Sequence, residues 1–145
     1  MRKERVEIKK LGINGEGIGY IHKKICFIQD ALPGEIVDVE IVQETRQFLK
    51  GVVKKYIEKS KYRQPSFCKE YKNCQGCALT TLDYSQHLNF KKGLLKDALK
   101  KYTHFDVEHL PIQKTIKAPL TQHYRQVVSL PMTYFKGKIY AVPEG

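Results

Sequence analysis

Three cysteines fall within ten residues, in the spacing Cys68-x5-Cys74-x2-Cys77. A C-x2-C turn brings two thiolates onto one metal-sized site, and Gly76 between the last pair eases the backbone around it. In a reducing compartment cysteines such as these are expected to be ligands or plain thiols and not disulfide partners. Three thiolates leave a tetrahedral centre one ligand short, and zinc and an iron-sulfur cluster differ in what supplies the fourth. His87, ten residues beyond Cys77, can complete a zinc site. Cys26 lies between Ile25 and Phe27 in a segment that reads as a strand, so it is expected to be a buried apolar thiol. His22, His104, His109 and His123 have no ligand spacing to the cysteines.

The second chemical signal is charge. Lys and Arg total 26 against 15 Asp and Glu, a net charge of +11 with a pI near 9.5, which points to a polyanionic partner and first of all to nucleic acid. The imbalance is local: residues 1–60 hold 12 basic and 9 acidic groups, whereas 61–145 hold 14 and 6. Around the cysteines Lys59, Lys61, Arg63, Lys69 and Lys72 alternate with Tyr62 and Tyr71, a mixture that suits phosphates and stacked bases. Tyr20, Phe27, Phe48 and Phe67 are further aromatic candidates, each read first as core. Lys91, Lys92, Lys96, Lys100 and Lys101 line one side of a helical pattern and read equally well as a solvated face or an RNA-facing stripe.

The elements that must hold these residues can be read from periodicity. At 145 residues, 41% hydrophobic and 28% charged, the chain is globular, with room for one domain or a small module with an appendage. No run reaches the roughly 18 apolar residues of a membrane span. Met1-Arg2-Lys3-Glu4-Arg5 leads into an alternating segment and not into an apolar core with a cleavage site, so a cytoplasmic protein is expected. Val6 and Ile8 alternate with Glu7 and Lys9 as in a half-buried strand. Gly12 to Gly19 lacks the helix that a dinucleotide-binding loop feeds, and reads as a hairpin and bulge region of a curved sheet. Strands follow at 19–22, 24–29, 35–43 and 47–57, with Pro33-Gly34 marking a turn.

Five short strands predict a small closed OB-like barrel over residues 1–60. A basic linker and cysteine loop is expected over 61–82. Residues 83–145 read as a helix from 84 to 102, capped by Asp83 with Gln86 in a capping box, then the start of an α+β domain. The helix is expected to pack through Tyr84, Leu88, Leu95, Leu99 and Tyr102, and two strands are expected at 126–132 and 133–142 around Lys136-Gly137-Lys138. The fold class is mainly β, with the last domain incomplete, as though the chain stopped inside a sheet.

Together these residues carry a family resemblance. Val6-x-Ile8, Gly15-x-Gly17-Ile18-Gly19, Cys26-Phe27-Ile28 and Ala31-Leu32-Pro33-Gly34-Glu35 resemble the TRAM domain, a small RNA-binding β-barrel. That domain, followed by the cysteine motif, by Gln86 and Lys92 on a helix and by Tyr124-Arg125, resembles the N-terminal part of the S-adenosylmethionine-dependent RNA (uracil-5-)-methyltransferases, in the 23S rRNA type that carries a [4Fe-4S] cluster. The resemblance implies Cys68, Cys74 and Cys77 as cluster ligands, the fourth cysteine coming from beyond Tyr124-Arg125. It implies RNA, ribosomal in type, as the partner, contacted by Lys59, Lys61, Tyr62, Arg63, Lys69, Tyr71, Lys72 and Arg125. A monomer with no membrane contact is expected. S-adenosylmethionine and the catalytic cysteine and glutamate belong to a domain to which no residue here corresponds, so no catalytic or S-adenosylmethionine-binding residue is assigned. Two departures stand out: Gln75-Gly76 replaces a double glycine, and Gln126 and Val127 stand where basic residues usual after Tyr-Arg would be. A free-standing nucleic-acid-binding module with a structural zinc is the alternative. An electron-transfer protein fits less well, since it needs a full ligand set and gains nothing from +11.

Overall fold

The alternation of residues 3–11 becomes a strand that breaks in the middle and serves two partners. In the computed structural model, which describes residues 2–141 apart from 73 and 75, its first half is β1 (Lys3–Glu7) and its second β2 (Lys10–Leu11). They are followed by β3 (Gly17–Ile21), β4 (Lys24–Gln29), β5 (Ile36–Glu44), β6 (Phe48–Glu58), α1 (Tyr84–Tyr102), β7 (Met132–Phe135) and β8 (Lys138–Ala141). β1 pairs antiparallel with β5, from Lys3 opposite Glu40 to Glu7 opposite Ile36. The Ile8 N–H then donates to the Glu35 carbonyl at 2.9 Å, the Lys9 N–H to that of Ile18 at 2.8 Å, and β2 pairs with β3. One strand therefore joins both edges of a sheet ordered β1-β5-β6-β4-β3-β2, closing it into the small barrel that the strand spacing predicts. β4 and β6 pair in parallel, and three register shifts between β5 and β6 let those long strands curl.

Closure demands glycine where β3 crosses β1. A Cβ on Gly19 would stand 2.2 Å from Val6 Cγ1, so the glycine-rich stretch is an instrument of barrel packing. Inside lie Val6, Ile8, Ile21, Cys26, Ile28, Ala31, Val37, Val39 and Leu49. Gly34 takes φ +82° in the turn Leu32-Pro33-Gly34-Glu35, closed by the Glu35 N–H on the Leu32 carbonyl at 3.1 Å.

Residues 61–82 fold back on the barrel. The Gln64 N–H donates to Thr81 O at 2.8 Å and the Asp83 N–H to Tyr62 O at 2.9 Å, while Leu82 packs with Leu11 and Leu32 beside Leu79 and Phe90. Arg63 reaches deepest. Its Nε and Nη2 donate to the two carboxylate oxygens of Glu35 at 2.6 and 2.8 Å, and its Nη1 and Nη2 to Asp30 Oδ1 and O at 3.0 and 2.8 Å. Glu35, fully buried, also accepts from the Leu32 and Ser60 N–H groups. The Arg63 guanidinium lies 4.6 Å from the Tyr56 ring centroid, and Tyr56 Oη donates to Asp30.

α1 has the predicted bounds, with its packing altered. Asp83 caps it by accepting from the Ser85 N–H at 2.9 Å. The capping box is not formed, because the Asp83 N–H is already given to Tyr62 and the Gln86 amide turns to Ser85 Oγ. No helix residue is buried, Leu95 and Tyr102 are exposed, and it is Phe90, outside the expected stripe, that rests on Leu11, Leu32 and Leu82. The other side meets the chain returning at 115–118, where Thr115 Oγ1 donates to Leu88 O and the Ala118 N–H to Tyr84 Oη. The helix thus has a neighbour on each side, and the longest apolar stripe does not choose between them. At the end of the chain 126–131 forms no strand: Pro131 interrupts it and no partner flanks it. The turn at Lys136-Gly137 makes a hairpin of β7 and β8 instead of one strand from 133, and 142 lies outside the described residues. No helix among the described residues is long and apolar enough to cross a membrane.

Arg63→Ala should lower stability by about 3–5 kcal/mol, the usual cost of stranding a buried charge, whereas Lys61→Ala should leave it within about 0.5 kcal/mol. Urea unfolding followed by circular dichroism measures both.

Candidate functional site

The cysteine loop is laid along one flank of the barrel. Thr80 and Thr81, buried at its end, tie it down: Ser66 Oγ donates to Thr80 Oγ1 at 3.1 Å and Thr81 Oγ1 to Asp30 at 3.2 Å. Between these ties the Tyr71 N–H donates to Cys68 O and the Cys74 N–H to Glu70 O, at 3.3 and 2.8 Å, so the chain turns back on itself within the motif. Cys68 and Cys74 are partly buried and Cys77 is exposed. Cys74 and Cys77, with Tyr71 and Lys72, form one wall of a groove of about 970 Å³ whose other wall is β4 and β6.

No three His, Cys, Asp or Glu residues among those described stand close enough to hold a metal ion. The donor set still suits one: three thiols on a single loop are soft ligands for iron or zinc. His87, the sequence candidate for a fourth zinc ligand, has Nε2 at 2.8 and 2.9 Å from the Leu79 and Leu82 carbonyls. A nitrogen that donates to a carbonyl carries its proton and cannot also bind a metal. Cys26 is wholly buried, and burial pushes its thiol up to about 11, so it stays protonated in the core.

The basic residues divide into two groups. Lys59, Lys61, Lys69 and Lys72 are exposed, Lys59 5.6 Å from the Tyr56 ring centroid and Lys61 5.0 Å from that of Tyr62, itself exposed. The ammonium groups of Lys59 and Lys61 thus lie over aromatic rings. Arg63 does not join them, because its donors are spent on Glu35 and Asp30; these hydrogen bonds outweigh the burial that opposes its charge and hold its pKa above the ordinary value. Tyr71 turns inward as well: burial, and then the Asp30 carboxylate, push its hydroxyl up to about 12. Arg125 is exposed, 5.9 Å from the Tyr124 ring, on an irregular segment apart from the loop.

Asp30 and Glu35 escape sequence reasoning, and the signal for Glu35 is slight: an acid directly after a Pro-Gly turn, between apolar runs. In the sequence Phe27 and Phe48 are two aromatics among several. They stand together on the outside of the barrel, ring centroids 5.8 Å apart.

Residues 2–54 match the family model of the TRAM domain. Over 141 residues, 96% of this chain and 31% of the relative, the sequence is 37% identical to an uncharacterized RNA methyltransferase of Streptococcus agalactiae. A second uncharacterized RNA methyltransferase, from Bacillus cereus, is 41% identical over 83% of this chain and 26% of its own length. The chain thus spans about a third or less of the curated relatives it matches. Among solved structures, a tRNA (uracil-54, C5)-methyltransferase of Pyrococcus abyssi in complex with S-adenosyl-L-homocysteine is 30% identical, with a TM-score of 0.45 over 66% of this chain and 21% of that one.

In the folded, metal-free protein a thiol reagent at neutral pH should modify Cys68, Cys74 and Cys77 and spare Cys26. Peptide mapping after alkylation reads this directly, and unfolding should bring the fourth thiol into reach.

Proposed function

From a chain that carries a TRAM domain and matches the N-terminal part of RNA methyltransferases, we propose the RNA-recognition and cluster-binding region of an S-adenosylmethionine-dependent RNA (uracil-5-)-methyltransferase acting on ribosomal RNA in the cytoplasm as a monomer. The observation that carries the reading is the order of parts: a TRAM domain at 2–54, then a basic loop with Cys68-x5-Cys74-x2-Cys77 laid against it, in a chain related along nearly all its length to RNA methyltransferases. Lys59, Lys61, Lys69 and Lys72 take phosphates, and Tyr62 offers an exposed ring. Arg125 adds a phosphate contact from the far segment. Arg63 and Tyr71 act behind this surface, holding the loop on the barrel.

Cys68, Cys74 and Cys77 hold a [4Fe-4S] cluster together with a cysteine from outside this chain. When bound, the cluster supplies a covalent cross-link between the loop and that later segment. A zinc alternative would have to use His87 through Nδ1, since Nε2 is engaged by the Leu79 and Leu82 carbonyls. Methyl transfer itself, and the site for S-adenosylmethionine, belong to the larger part of the protein that the relatives possess beyond this region.

Two measurements test the reading. Five phosphate contacts, from the four lysines and Arg125, should give single-stranded RNA binding a log–log salt slope of about −3.5, and an affinity unchanged between about 50 and about 200 mM salt would overturn the RNA assignment. Anaerobically prepared full-length protein should contain iron and sulfide and absorb broadly near roughly 400 nm. Stoichiometric zinc without sulfide would replace the cluster with a zinc site.

A further inference from the structure

The parallel pairing of β4 with β6 sets two columns of side chains. Cys26, Ile28 and Leu49 fill the barrel, while Phe27 on β4 and Phe48 and Lys50 on β6 face outward. The two rings meet edge to face, at 69°, and Lys50 Nζ lies 5.9 Å from the Phe48 centroid. Aromatic cross-strand pairs do stabilise sheets, and this pair is only half-buried, so part of its surface is open. It is part of the wall of the groove of about 970 Å³, with the exposed Val42 and Val52 beside it and Lys72 on the opposite side. That volume is at the upper end of the roughly 300–1,000 Å³ of ordinary ligand pockets.

Resting on the RNA-binding reading above, we propose that Phe27 and Phe48 form a stacking platform for an unpaired nucleotide of single-stranded RNA, with Lys50 and Lys72 holding its phosphates. The chemistry on the two walls commits the groove to this occupant. An edge-to-face pair leaves one ring face uncovered by the other, and a base presents a matching flat π surface. A nucleotide also brings the negative charge that a lysine on each wall needs. Of the two acids that line the groove, Asp30 is saturated by Arg63, Tyr56 and Thr81, and Glu16 is the one left. The platform adjoins Cys74 and Cys77, so the cysteine loop sets the width of the slot into which the base slides.

The test uses oligouridine of about a dozen nucleotides, read by fluorescence anisotropy. Phe48→Leu keeps the apolar bulk and removes the ring; affinity should fall about 5- to 100-fold, with the salt slope unchanged. Lys50→Ala should reduce that slope by about one. The chain contains no tryptophan, so Phe48→Trp supplies a unique fluorophore at the platform, and it should bind like the parent protein with its emission quenched by the stacked base. Should Phe48→Leu destabilise the barrel, Phe27→Leu and the Phe48→Trp quench still decide the matter. Parent-like affinity in both leucine variants, or an unquenched tryptophan on saturation, would overturn the platform while leaving RNA binding intact. No salt-dependent binding by the parent protein would overturn the platform and the RNA reading together.

Discussion

The barrel, the cysteine loop and the helix entry lean on one buried ion pair. Glu35 sits at a barrel turn with no access to water, and a carboxylate there is tolerable only because Arg63 meets it with two parallel hydrogen bonds while two backbone N–H groups occupy its remaining lone pairs. The same guanidinium binds Asp30, and Asp30 in turn receives Tyr56 from β6 and Thr81 from the end of the cysteine loop. A residue that sequence places in a linker is therefore the point at which barrel, loop and helix entry are fastened together. The arrangement gives specificity of position more than net stability, since an apolar replacement of comparable volume would serve a plain core as well.

That fastening explains why the cysteine loop can offer its thiols and lysines without a core of its own. The loop buries few apolar side chains; it is held at its two ends, by Arg63 and Gln64 on one side and Thr80, Thr81 and Leu82 on the other. Between those anchors the Tyr71 and Cys74 N–H groups fold the chain back on Cys68 and Glu70. In the barrel flank beneath, closure through the split first strand removes the free edges near it.

Much of this was legible from local pattern and part was not. The helix from 84 to 102 showed itself through Asp83 and its periodicity, and the barrel strands through their Gly and Pro punctuation, because those signals are carried by neighbours in sequence. Arg63 shows the limit. It differs from Lys59 and Lys61 only in having Glu35 and Asp30 beside it, 28 and 33 residues earlier, and no local pattern encodes such a meeting. The outward pairing of Phe27 with Phe48 depends likewise on a parallel ladder between strands separated by β5. Phe90 against the barrel, and the lack of a strand at 126–131, were lost for a related reason: propensity says what a segment prefers, and tertiary partners decide what it does.

The split first strand has a consequence for the order in which the protein can be made. β1 leaves the ribosome ahead of β5, with which it pairs. At about 5–20 residues per second, the 37 residues from Lys3 to Glu40, its partner on β5, take about 2–7 s to follow it out. For that interval a β-prone segment travels without a partner. Its charges, Lys3, Glu4, Arg5 and Glu7 around a single Val6, keep such a nascent edge from recruiting a neighbouring chain on the same message before its own partners arrive.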